Sequence, residues 1–192
     1  MPALPFPPLE PDCSYHIYNR ANGNDNIFRE HTNYEYFLKL YSAYIPPIAD
    51  TFAFCLMPNH FHFAVRVKPE KELVNYYQKK GKALERLQTV HALIEYNSQQ
   101  YSNLFNAYAQ AFNKKYARRG GLFISNFKRK KVTSINYLLN LIHYIHNNPV
   151  HHGFVNTIDE WKYSSYHTLL SNRKNIISEK RDIGIFWRLQ RV

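Results

Sequence analysis

The strongest constraint on this chain is the run Pro58-Asn59-His60-Phe61-His62-Phe63-Ala64-Val65-Arg66, which alternates with the period of a β-strand. Successive strand side chains point to opposite faces. His60, His62, Ala64 and Arg66 therefore share one face, and Phe61, Phe63, Val65 and Val67 share the other. The aromatic and branched face is dressed for a core. The opposite face carries two imidazoles about 6.5–7 Å apart, at roughly 3.3 Å of rise per residue. Imidazoles so placed can converge on one metal ion, or each can be satisfied by ordinary hydrogen bonds. Spacing alone does not choose between these.

The flanking sequence has a mixed order. Tyr15 to Arg20 alternates like a strand and runs into the turn-forming Asn22-Gly23-Asn24-Asp25. Thr32 or Asn33 is placed to cap a helix carrying Tyr34, Phe37, Leu38, Tyr41 and Ile45, which Pro46-Pro47 stops. Thr51 to Met57 reads as a strand, and Pro58-Asn59 turns it into the His60 strand as a hairpin. Residues 70–95 favour helix with a break near Gly81. Residues 98–117 place Tyr101, Leu104, Phe105, Tyr108, Phe112 and Tyr116 at helical spacing, a stripe better suited to a core than to stacking bases. Gly120-Gly121 should end that helix, and Leu122 to Phe127 fits a fourth strand. Thr133 or Ser134 should cap a last long helix with Ile135, Leu138, Ile142 and Ile145 on its buried face, ending near Pro149.

This β-α-β-β-α-β order predicts an α+β, ferredoxin-like sandwich: a central antiparallel sheet of about four or five strands with packed helices. Its first and third strands lie side by side at the sheet centre, so the polar face of the His60 strand needs a reason to be there. The expected organisation is an extended N-terminal arm over residues 1–12, one domain over residues 13–170 and a basic C-terminal tail over residues 171–192.

Composition bears on the partner. There are 25 Lys+Arg against 14 Asp+Glu, a formal charge of +11 and a pI near 9.6. That balance suits a polyanion, and 16 Tyr and 13 Phe offer rings for stacking on bases. The cationic charge is concentrated in Lys114, Lys115, Arg118, Arg119, Lys128, Arg129, Lys130 and Lys131, a span with no acid. Such a run is either a phosphate-binding ridge or a solvated face. Cys13 and Cys55 give neither a disulfide framework nor a zinc signature, which points to a reducing cytoplasm. The proline-rich start does not read as a signal peptide, and no run approaches the roughly 18 apolar residues of a transmembrane helix.

A second constellation is Tyr144-Ile145-His146-Asn147-Asn148-Pro149-Val150. Helical rotation puts Tyr144 off the apolar stripe, with Asn148 one turn on and near the same face. A helix lying on the sheet would offer a phenol and an amide oxygen to the two histidines, although Pro149 disfavours helical geometry at Asn148.

Taken together the motifs resemble the single-tyrosine HUH transposases, particularly the REP-associated tyrosine transposase branch. The name denotes His-hydrophobic-His, here His60-Phe61-His62. The resemblance runs from about Tyr15 to Leu170. It rests on Tyr15-His16-Ile17-Tyr18-Asn19-Arg20, on Met57-Pro58-Asn59-His60-Phe61-His62, and on Gly121-Leu122-Phe123 with Phe127-Lys128. It continues in Tyr144 to Val150 with Gly153, and in Trp161-Lys162-Tyr163-Ser164-Ser165-Tyr166. Ala21 departs from the glycine common after Asn-Arg in such sequences.

The resemblance implies that His60 and His62 bind a divalent ion, Mg²⁺ or Mn²⁺, with Asn148 as third ligand. It implies that Tyr144 is the nucleophile. The expected activity is cleavage and rejoining of single-stranded DNA, hairpin-bearing at the element end, through a 5′-phosphotyrosine. The protein is expected to act as a monomer or homodimer, in the cytoplasm and on the nucleoid when bound to DNA. Trp161 and Tyr166 fit packing against the sheet better than DNA contact. Two other readings stand beside this one: a non-catalytic DNA-binding descendant, and a metal-dependent nuclease in which Tyr144 orients water. Only the transposase forms a covalent protein–DNA adduct.

Overall fold

The computed structural model describes residues 6–87 and 89–171. The expected basic tail lies outside the described residues apart from Ser171. The elements in chain order are β1 (Ser14–Arg20), α1 (His31–Tyr44), β2 (Ala49–Met57), β3 (His60–Val67), α2 (Glu70–Lys79), α3 (Leu84–Leu87), α4 (Val90–Lys115), β4 (Lys128–Val132) and α5 (Ile135–His151). A 3₁₀ turn (Ile158–Glu160) and α6 (Tyr166–Ser171) follow. The strands form an antiparallel sheet in the order β2-β3-β1-β4, the ferredoxin-like order expected from the sequence, with β1 and β3 at its centre.

The alternation of β3 decides which layer covers which face. Phe61, Phe63, Val65 and Val67 join Tyr15 and Ile17 of β1 in a core closed by Phe37 and Tyr41 of α1 and by Leu104, Phe105 and Tyr108 of α4. The other face is covered by α5, whose Leu138, Leu141 and Ile145 pack on Phe52, Ala53, Cys55, Met57 and Ala64. The histidine face of β3 is thus roofed by the tyrosine helix.

Several boundaries differ from the sequence expectation. The fourth strand is Lys128–Val132, not Leu122 to Phe127. The earlier segment crosses the end of the sheet and makes only an isolated bridge, Ala21 to Phe123. Asn19 Nδ2 donates to Ile124 O, and Asn126 is left-handed at φ 61°, which ends any extended run there. The true strand has poor β propensity but pairs only with β1, and lysine is common on such unpaired edges. The cap of α1 is Glu30, in a reciprocal box with Asn33, rather than Thr32 or Asn33. Helix α4 is longer than expected and stops at Lys115, before Gly120-Gly121. Ser134 caps α5 by accepting from Tyr137 N. Its buried face is Leu138, Leu141, Ile145, His146, Asn148 and Pro149, whereas Ile135 is exposed. The helix also passes through Pro149 to His151 instead of ending there.

The segment after α5 is fastened to β2. Trp161 Nε1 donates to Leu56 O, and Ser165 Oγ accepts from Phe54 N. Tyr163 stacks flat on Tyr34, with ring centroids 3.6 Å apart. Trp161 therefore packs against the sheet, as its sequence context implied. At the other end, Leu9 is fully buried, Arg129 donates to Pro7 O and Asn97 to Leu9 O, which lays residues 7–9 along α4. No helix among the described residues is long and apolar enough to cross a membrane.

Candidate active site

His60 and His62 hang from β3 with ring centroids 5.1 Å apart and edge-to-face. Helix α5 brings Asn148 over them, one turn beyond Tyr144. Asn148 is buried, and its Nδ2 donates to Tyr144 O. That bond fixes the amide orientation and aims Oδ1 at His60 Nε2, 3.3 Å away. The Tyr144 ring stands edge-on to His62 and His16, with centroids at 5.4 and 6.1 Å. It is nonetheless 47% exposed. The four residues singled out by sequence are therefore brought together from two layers.

His60 poses a question of protons. A neutral imidazole has one N–H, and His60 has two oxygen neighbours. Asn59 Oδ1 lies 2.6 Å from Nδ1, and Asn148 Oδ1 lies 3.3 Å from Nε2. If the shorter contact takes the proton, Nε2 and Asn148 Oδ1 face each other lone pair to lone pair. That juxtaposition is unfavourable alone and favourable around a cation. Burial holds the His60 ring below its ordinary pKa, against the opposing pull of Asn148. His62 is pushed down to about 2 by burial first, then by His16, His60 and His152. Both rings are neutral at physiological pH, the state in which imidazole ligates a metal. Among the described residues no three His, Cys, Asp or Glu side chains gather as a metal-binding group. The donors available are two imidazoles and one amide oxygen.

Sequence reasoning passed over His16. It is buried on β1, and its Nε2 lies 2.9 Å from His62 Nδ1. It stacks on Tyr18 with centroids 4.6 Å apart, and burial, then Lys130, pushes it down to about 4. The signal was present in the sequence. Tyr15 to Arg20 alternates, so His16 and Tyr18 share a face, and the expected β1–β3 pairing sets that face beside His62. The register is Tyr18 opposite His62 and Lys128, and His16 opposite Ala64 and Lys130. His152, at the end of α5, adds a ring 5.2 Å from His60.

His16, His62 and Tyr144 border a groove of about 380 Å³, lined also by Tyr18, Lys130, Tyr137, Asn140 and Leu141. A larger cavity, about 1040 Å³, lies over α2 and α4 on the opposite face of the sheet; Arg129 lines it, but none of the histidines His16, His60 and His62, nor Tyr144 or Asn148, does.

The cationic run does not form one ridge. Lys115 pairs with Glu30, Arg118 with Asp25 at 2.7 Å, and Lys131 with Glu10. Arg129 turns to the α4 side, lies over Phe127 and donates to Ser98. Lys128 and Lys130 project on the histidine face. Lys114, Arg119, Lys128 and Lys130 have no ion pair among the described residues.

A ferredoxin-like sheet with a His-apolar-His strand under a helix that offers an exposed tyrosine is the arrangement that the resemblance to single-tyrosine HUH transposases implied. Comparison with known proteins leads to one branch of that class. Over 121 residues, 62% of the chain, the sequence is 30% identical to a Haemophilus influenzae protein named for the REP-associated tyrosine transposases. The chain spans 59% of that relative's length. A solved structure of a REP-associated tyrosine transposase bound to a REP hairpin shares the fold, with TM-score 0.60 at 13% identity, covering 100% of this chain and 99% of that one. No protein-family model matches the chain. In sequence and in fold the chain is thus similar to the REP-associated tyrosine transposases.

Proposed function

We propose that this protein cleaves and rejoins single-stranded DNA at a phosphodiester attacked by Tyr144, and that it is a transposase or strand transferase of the REP-associated kind. The observation that carries the proposal is the meeting of Tyr144, exposed, with His62 beneath its ring and Asn148 Oδ1 one turn along at 3.3 Å from His60 Nε2.

The donor set of His60, His62 and Asn148 fits a divalent cation such as Mn²⁺ or Mg²⁺. Two neutral imidazoles and a neutral oxygen leave coordination positions for phosphate oxygens and water. When bound, such an ion supplies polarisation of the phosphorus and stabilisation of the charge that develops on the phosphate.

The protein's own groups do the rest. Tyr144 is held by its helix above the histidines and remains open to a strand in the groove. Its Oη attacks phosphorus as the bond to the 3′ oxygen breaks. The phenolic proton passes to solvent and the 3′ oxygen takes one up, leaving a 5′-phosphotyrosine and a free 3′-OH. The phosphodiester energy is retained in that bond, so attack by a 3′-OH rejoins a strand without ATP. Lys130 lines the groove and Lys128 lies two residues away on the same strand face, opposite Tyr18; both suit the backbone phosphates. An unpaired strand suits the site because it can bend one phosphate down to the histidines while its bases stack.

The test is incubation of the purified protein with labelled single strands carrying a hairpin, with Mn²⁺ or Mg²⁺ and with EDTA. A metal-dependent covalent adduct is expected. Strand binding without an adduct would favour the non-catalytic reading, and cleavage without an adduct the nuclease reading.

A further inference from the structure

We infer that His16 is a positioning residue for the metal site: it accepts the Nδ1 proton of His62 and so leaves the Nε2 lone pair of His62 free for the ion. The inference rests on the metal reading above and concerns a residue to which neither the motifs nor the relatives assign a role.

His16 Nε2 and His62 Nδ1 are 2.9 Å apart, and both rings are buried. Two N–H groups cannot face each other at that distance, and two lone pairs would repel, so one ring donates and the other accepts. The two arrangements have opposite consequences. If His16 donates, neutral His62 must carry its proton on Nε2, and that nitrogen cannot ligate. If His62 donates from Nδ1, its Nε2 is a bare lone pair on the far side of the ring from His16. His60 is treated alike: Asn59 Oδ1, an oxygen that can only accept, sits 2.6 Å from its Nδ1 and directs its lone pair to Nε2. Each proposed imidazole ligand thus has a partner at Nδ1, from two different elements.

The placement of His16 is set by the fold. It lies on the central strand next to β3, stacked on Tyr18 and edge-on to Tyr144, so its ring has little freedom to swing away. Partners of this kind orient a ligating imidazole and raise its affinity, and their loss typically weakens metal binding by about 10–100-fold.

The experiment has two arms. In metal-free wild-type protein, nitrogen-15 NMR of the histidine rings should show His62 with its proton on Nδ1. A proton on Nε2 would overturn the inference without any variant being made. Mn²⁺ affinity is then measured by calorimetry and by electron paramagnetic resonance for wild type, His16→Phe and His16→Gln. Phenylalanine keeps a ring on Tyr18 but has no acceptor, whereas glutamine restores an acceptor oxygen. The expected result is a loss of about 10–100-fold for His16→Phe and substantial recovery for His16→Gln. Binding unchanged in a folded His16→Phe protein would overturn the role of His16 alone. Failure of wild type to bind Mn²⁺ would overturn the metal reading itself.

Discussion

His60 Nε2 and Asn148 Oδ1 stand 3.3 Å apart, although one hangs from the sheet and the other from the helix that covers it. A cation between them would tie β3 to α5. Addition of Mn²⁺ should therefore raise the melting temperature, because a ligand that binds only the folded state stabilises it by mass action. The rise should disappear in His60→Ala and His62→Ala, and DNA cleavage should fall by orders of magnitude in either while strand binding survives. A melting temperature indifferent to Mn²⁺, or full cleavage in excess EDTA, would count against the site.

Tyr144 and Tyr137 both line the groove, so the proposed nucleophile can be separated from its neighbour. Tyr144→Phe removes one exposed hydroxyl and should leave folding and DNA affinity nearly unchanged. The covalent adduct should vanish in it and persist in Tyr137→Phe. Mass spectrometry of the trapped peptide should place the nucleotide on Tyr144; its appearance on Tyr137 would refute the assignment and leave the metal site standing.

The split of the basic run gives a quantitative test of DNA contact. Each cation that neutralises a phosphate contributes a slope of about −0.7 to the log–log salt dependence for single strands. Lys128→Gln and Lys130→Gln should each flatten the slope by about that amount. Lys131→Gln should leave it unchanged, since that lysine is turned to Glu10. Equal effects at all three positions would mean that the groups rearrange on DNA.

Asp25 supplies a pH dependence. Its hydrogen bonds to Arg29 first and Arg118 second hold its carboxyl below the usual carboxylate range. A carboxylate depressed in the folded state contributes stability that is present above its unfolded pKa and lost as pH falls through the folded one. The contribution is full at neutral pH and fades below about pH 4. The ion pair is partly exposed, so its size is about 1 kcal/mol or less. Asp25→Asn should lower stability in denaturant melts at about pH 7, and the difference from wild type should shrink as the pH is lowered through the acid range. A difference that stays the same size at every pH would show that the carboxylate charge is not what matters.

The strand period made the histidine face legible, and the order of elements made the sheet legible, because both depend on short-range pattern. The His16 contact was reachable by combining alternation with topology but needed the register to fix it. What the sequence concealed was long-range. The run from Lys114 to Lys131 looks uniform, yet the fold distributes its charges between two faces and pairs Lys115, Arg118 and Lys131 with acids from remote loops. The fourth strand was misplaced because Leu122 to Phe127 has the apolar residues of a strand, while Lys128–Val132 has the composition of a solvated loop. Pro149 marked a helix end that tertiary packing overrode.

The division of the site between an early hairpin and a late helix has a bearing on synthesis. On the proposed function, a polypeptide interrupted anywhere between Val67 and Tyr144 carries the histidines but lacks the group that attacks DNA. Nor can the sheet close before β4 has been made, since it supplies the outer neighbour of β1. On that reading the capacity to cut a strand is withheld until synthesis has passed Tyr144, and a fragment that stops short of it cannot form the covalent adduct.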